Sequence, residues 1–111
     1  MMERRNDLMR SDLRENEEAY FLDIDLPGCA KDKIQAYVEN EYLTVEADFR
    51  KEETAKTIRR ERYAGRCQRR FYVGEIRTQD IQAAYKDGVL TLTIPKKAYE
   101  RAEEERRITI E

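Results

Sequence analysis

The residues that could carry chemistry are few and poorly assorted. The 111-residue chain has no histidine, one serine and two cysteines. Without an imidazole there is no Ser-His-Asp triad, no histidine base and no histidine-ligated zinc. Ser11 lies in a charged stretch with no base beside it. Cys29 and Cys67 are too few for a thiolate metal cluster or a disulfide-rich scaffold. Their spacing permits one disulfide without arguing for it, and two reduced thiols are expected. Carboxylate pairs such as Asp23 with Asp25 and Glu52 with Glu53 are plentiful, as 24 acidic residues make inevitable. No catalytic set surrounds them. Arg59, Arg60, Arg62, Arg66, Arg69 and Arg70 stand against a single acid, Glu61, with Tyr63, Phe71 and Tyr72 close by. That mixture invites a nucleic-acid reading. Yet the arginines alternate over both sides of the strands they would occupy, and the formal net charge is −2. Salt-bridged strand edges are the expected use, and nucleic-acid binding is disfavoured. No enzyme, metal or cofactor is expected.

Composition narrows the class further. Charged residues make up 41% of the chain against about 25% in an average globular protein, so the core is thin. The length supports one domain. A thin core suggests that other copies of the chain complete the packing. No apolar run approaches the roughly 20 residues that cross a bilayer, so no membrane partner is expected. The first residues lack the apolar stretch of a signal peptide. A cytoplasmic location is the expectation.

The elements that would position these side chains are strands. Residues 1–18 have weak helical potential around Leu8, Met9 and Leu13 and read as a mobile arm. From Tyr20 the apolar period becomes two: Tyr20, Leu22, Ile24 and Leu26 share one face of an extended chain. Pro27-Gly28 ends that strand. Ile34, Ala36 and Val38 mark the next. After a turn at Asn40-Glu41, Leu43, Val45, Ala47 and Phe49 mark a third. Residues 50–57 read as a charged loop. Residues 58–63 resume an extended pattern so charged that only a sheet edge suits it. Residues 67–73 form a strand, residues 81–85 a shorter one, and Asp87-Gly88 signals a hairpin into residues 89–94. Leu90, Leu92 and Ile94 then face inward. The fold class is all-β, an antiparallel β-sandwich over residues 19–95. Residues 96–111 read as a charged extension with some helical propensity, ending in Ile108-Thr109-Ile110, whose two isoleucines point one way if extended.

This order of motifs resembles the small heat shock proteins, the family built on the α-crystallin domain, and in particular its bacterial and plant branch. Leu26-Pro27-Gly28 followed by Asp32-Lys33-Ile34 is similar to the family's opening strand. Ala84, then Gly88-Val89-Leu90 and an alternating strand ending at Pro95-Lys96, resembles its signature. Residues 58–62, then Arg69-Arg70-Phe71, resemble the bacterial and plant branch. Ile108-Thr109-Ile110 resembles the Ile-X-Ile tail.

The resemblance implies an immunoglobulin-like β-sandwich and an ATP-independent holdase that keeps partly unfolded client proteins soluble. A co-chaperone adaptor of similar fold is the alternative. The resemblance also implies a dimer made by exchanging a short strand, here Ile58, Arg59, Arg60, Glu61 and Arg62. It implies a tail that docks through Ile108 and Ile110 into a groove on another copy. Leu43, Val45, Ile81, Ala83 and Leu90 are the expected groove residues. Arg69 is expected to pair with a carboxylate at the dimer contact. The chain departs from the family in three places. Its arm of about 18 residues holds no aromatic, so a dimer is expected over a large shell. Cys67 stands where an aromatic or aliphatic residue is usual, and is expected to fill core. Gly74 stands where many relatives have proline.

Overall fold

Burial alternates residue by residue over Val89–Pro95, the strand whose sequence alternates most regularly. A computed structural model describes residues 9–50 and 65–111. Among these residues seven antiparallel strands form two sheets: β1 (Ser11–Glu15), β2 (Ala19–Asp25), β3 (Ile34–Glu39), β4 (Tyr42–Asp48), β5 (Arg66–Tyr72), β6 (Gln82–Lys86) and β7 (Val89–Pro95). One sheet has the order β1-β2-β7-β6 and the other β3-β4-β5. In the first, Leu22 lies opposite Leu92 and Ile24 opposite Leu90. In the second, Val45 lies opposite Ala36 and Arg69. Leu22, Ile24, Leu90 and Leu92 pack against Leu43, Val45 and Ala47 as one core, which is how two half-apolar sheets remove their inner faces from water. The sandwich expected from the sequence is the fold observed.

The corner between β2 and the β6–β7 hairpin explains several of the signature residues. Asp87 and Gly88 both adopt positive φ, 52° and 78°, the geometry of a two-residue hairpin turn. Leu26 N–H donates to the Gly88 carbonyl at 2.7 Å. The Tyr85 hydroxyl lies 2.7 Å from the carbonyls of both Leu26 and Cys29, donating to one at a time, and so folds the Pro27-Gly28 turn back on itself. A Cβ on Gly88 would stand 3.3 Å from Pro27 Cα. Pro27, Gly28 and Gly88 are thus parts of one packed corner.

Two segments differ from expectation. Within the segment read as a mobile arm, Ser11–Glu15 is a strand in register with β2, Leu13 opposite Leu22 and Arg14 opposite Phe21. Just before it, Met9 is buried in the core. Its N–H donates to the Asp25 carbonyl at 2.8 Å, and Asp25 N–H donates to Arg10. Arg14 forks onto Asp23 at 2.5 and 3.0 Å. An edge strand stabilised by ladder bonds and ion pairs has no need of apolar alternation, so periodicity passes over it. The charged extension is, in its first part, a helix, α1 (Lys96–Glu105), starting directly at Pro95. Ala98 and Ala102, four apart on one face, are buried, and α1 touches β2 and β7.

Candidate functional site

Three of the five expected groove residues belong to the core. Leu43, Val45 and Leu90 are 1%, 0% and 4% exposed, because their side chains point into the sandwich. A docking segment could reach them only by displacing the core. Ile81 is partly buried and Ala83 exposed, so these two alone stand where an incoming chain could touch them. The reason lies in strand order. β4 is the middle strand of its sheet, flanked by β3 and β5, whereas β3 and β6 are terminal. The free edge of β3 faces the turn before β6: Thr78 Oγ1 accepts from Val38 N–H at 3.0 Å and donates to the Val38 carbonyl at 3.4 Å. Ile34, Ala36 and Val38 on this edge, with Ile81 and Tyr85 beside it, are partly buried apolar residues packed against the core. Alternation alone had marked Ala36 and Val38 as one face. Their position at an edge was not legible.

At the chain end, Ile108 and Ile110 are 88% and 92% exposed. Two bare β-branched side chains are costly to leave in water. The expected exchanged strand, residues 58–62, lies outside the described residues.

Within one copy of the chain Arg69 is already engaged. Its Nη1 donates to the Met9 carbonyl at 2.8 Å and its guanidinium lies 5.0 Å from the Phe71 ring centroid. It therefore ties β5 to the start of β1 across the sandwich. No ion pair of Arg69 with a carboxylate occurs among the described residues.

On that same flank lies a surface that sequence reasoning missed. Leu13 of β1, Tyr20 of β2, Phe71 and Tyr72 of β5 and Tyr99 of α1 line an open trough of about 560 Å³. Leu13 and Tyr72 are exposed, and Tyr20 and Tyr99 meet edge to face at 5.8 Å. The residues come from four separated segments, so no spacing could have announced it.

The remaining candidates are structurally occupied. The Arg14 guanidinium, followed by the Thr91 hydroxyl, holds the Asp23 carboxyl below the usual carboxylate range, the wrong direction for a general acid. Glu52 and Glu53 lie outside the described residues. Both cysteines are free. Cys29 Sγ lies 3.5 Å from the Asp48 carbonyl, and burial pushes its thiol up, which keeps it protonated and unreactive. Cys67 packs against the core, as expected. Of the arginines that invited the nucleic-acid reading, Arg66 faces Asp48 at 3.7 Å and Arg70 lies over the Tyr42 ring at 4.4 Å, while Arg59, Arg60 and Arg62 lie outside the described residues. Among the described residues no group of three or more histidine, cysteine or carboxylate side chains could hold a metal ion, and no helix is long and apolar enough to cross a membrane.

Comparison with known proteins bears on the whole of this architecture. Residues 12–111 match the model of the Hsp20/alpha crystallin family. The chain is 38% identical over 96 residues to a probable Hsp20 family chaperone of Onion yellows phytoplasma, covering 83% of this chain and 70% of that protein. It is 41% identical over 91 residues to an 18 kDa heat shock protein of Clostridium acetobutylicum, covering 78% of this chain and 60% of that one. Among solved structures, heat shock protein 16.0 of Schizosaccharomyces pombe superposes with a TM-score of 0.70 at 28% identity, covering 93% of this chain and 82% of that one. A small heat-shock protein of Xylella fastidiosa gives 0.65 at 29% identity, covering 78% and 83%. The sandwich, its signature corner and these matches agree: the chain belongs to the Hsp20/alpha crystallin family, the small heat shock proteins, which are chaperones and not enzymes.

Proposed function

We propose that this chain is an ATP-independent holdase that binds partly unfolded proteins and limits their aggregation in the cytoplasm. The observation that carries the reading is the apolar trough walled by Leu13, Tyr20, Phe71, Tyr72 and Tyr99. An open apolar surface of this kind suits transient capture of apolar segments. The test is light scattering of a heated client without ATP: a several-fold excess of the chain suppresses the signal, and an unchanged signal rejects the assignment.

The assembly belongs to the same proposal. Residues 58–62 cross to a second copy and satisfy the ladder of an open edge there. Ile108 and Ile110 dock on a second copy between β3 and β6, against Ala36, Val38, Ile81 and Ala83, by strand addition with side-chain anchoring. Each isoleucine gains about 1.5–3 kcal/mol on full burial. Ordering of the tail and lost translational freedom offset much of that, so one tail binds weakly and several bind effectively.

A further inference from the structure

The last helix is held to the sandwich by a small apolar face and by a ring of charges. Ala98 and Ala102 are buried, and Tyr99 meets Tyr20 edge to face at 5.8 Å. Around them Arg101 reaches Asp80 at 2.5 Å and Glu105 at 2.9 Å, and Arg77 reaches Glu105 at 2.6 Å. The ring closes through the backbone, since Arg77 N–H donates to Asp80 Oδ2 at 2.9 Å. Two arginines and two carboxylates thereby fasten α1 to the Thr78–Asp80 turn. Arg101 and Asp80 are the shielded pair, their side chains 28% and 18% exposed, while Arg77 and Glu105 are about half exposed. The Nε of Arg101 is buried without a partner among the described residues, a cost that works against the docked arrangement. The same turn carries Thr78, whose hydroxyl brackets Val38 on the β3 edge.

We propose that this ring of Arg77, Asp80, Arg101 and Glu105 is a latch that sets how far the tail can reach. The inference rests on the reading that Ile108 and Ile110 dock on a second copy. With the latch closed, Ile108 hangs from Glu105 by three residues, a span of about 10 Å at most. Opening the latch leaves α1 only the Ala98, Ala102 and Tyr99 contacts, and a helix of ten residues is marginal in water by itself, so the open state lets α1 unravel into leash. The tether then begins at Pro95, and thirteen residues span up to about 45 Å. Closed, the tail reaches only an acceptor edge held at one short separation. Open, it reaches acceptors over a range of separations and orientations. Half-exposed ion pairs are screened by salt, so ionic strength shifts the latch, and the Thr78 contact passes its state to the rim of the acceptor edge.

The experiment uses the full chain and the near-isosteric variants Asp80→Asn and Glu105→Gln. Hydrogen exchange followed by mass spectrometry reads α1, and native mass spectrometry reads assembly, with the Ile108→Ala, Ile110→Ala double variant as reference. In Asp80→Asn the amides of residues 97–105 exchange roughly tenfold faster or more, the scale of one charge-assisted hydrogen bond, while β2 and β7 stay protected. Raised salt moves the parent the same way. The mass distribution broadens only while both isoleucines are present. Unchanged protection of residues 97–105 overturns the latch. Faster exchange with an unchanged mass distribution, in a protein whose mass does respond to loss of the isoleucines, overturns the control of reach. Indifference of the mass to the isoleucines themselves rejects tail docking and the control of reach with it, and the exchange data still judge the latch.

Discussion

Replacing Gly88 by alanine tests whether the signature corner is held by backbone packing, and Gly28 provides the internal control. Both glycines have positive φ, 78° and 81°, where an L side chain costs about 1–2 kcal/mol. Both substitutions also stiffen the unfolded chain and recover about 0.4–1 kcal/mol. At Gly28 the added Cβ meets nothing within 4 Å, so the net loss is about 0.5–1 kcal/mol. At Gly88 the Cβ would sit 3.3 Å from Pro27 Cα and 3.8 Å from its N and Cβ. That contact is with backbone, which yields poorly, and the Leu26 N–H bond to the Gly88 carbonyl must shift with it. Straining one hydrogen bond adds about 1 kcal/mol, for a total of about 2 kcal/mol. Urea unfolding at one fixed protomer concentration measures the difference, since stability and assembly are linked. The expected result is an unchanged m-value with a midpoint for Gly88→Ala clearly below that of Gly28→Ala. Equal midpoints for the two variants would refute the packing argument, because they share the φ cost and differ only in the Pro27 contact.

Three further predictions address assembly and acid. The Ile108→Ala, Ile110→Ala double variant shifts native mass toward the dimer without lowering the unfolding midpoint of the domain; unchanged mass in a parent larger than a dimer contradicts tail docking. Deletion of residues 55–64 yields monomer by light scattering at concentrations where the parent is dimeric, and a stable dimer excludes the strand exchange. With no histidine in the chain, stability is level between about pH 5 and 8. Asp23, Asp48 and Glu105 are held below the usual carboxylate range, each first by a side-chain hydrogen bond, from Arg14, Arg50 and Arg101. A carboxylate with a depressed folded-state pKa contributes stability that is fully present above its unfolded value, near 4, and lost as pH falls below it. Unfolding midpoints should therefore decline from about pH 4 downward; a steep decline between pH 7 and 5 would show that other groups govern.

Much of the fold was legible because inward-facing strands leave a period-two trace. Leu22, Ile24, Leu90 and Leu92 announce themselves, and Asp87-Gly88 announces its turn. Ser11–Glu15 does not, since an edge strand is stabilised by ladder bonds and by the Arg14–Asp23 pair. For α1 the useful signal was present but faint: Ala98 and Ala102 are four apart, yet alanine among charges reads equally well as a solvated helix or a linker. The burial of Leu43 and Val45, which the family resemblance had put in the groove, was not legible for a topological reason. They alternate as well as Ala36 and Val38 do, and alternation cannot distinguish a central strand from an edge.

The amino-acid sequence by itself determined the sandwich, its hairpins, the family and the absence of histidine chemistry. These follow from local conformational preference and from which side chains must leave water, both properties of residues close together along the chain. The tertiary structure alone decided which strands are edges and that β4, carrying Leu43 and Val45, is a central one. It also decided that Arg69 ties β5 to Met9, and that Arg77, Asp80, Arg101 and Glu105 meet beneath the last helix. Burial, edge position and charge pairing depend on what lies across the fold, and residues 21 or more apart, such as Asp80 and Arg101, become neighbours only when the sheets close on each other.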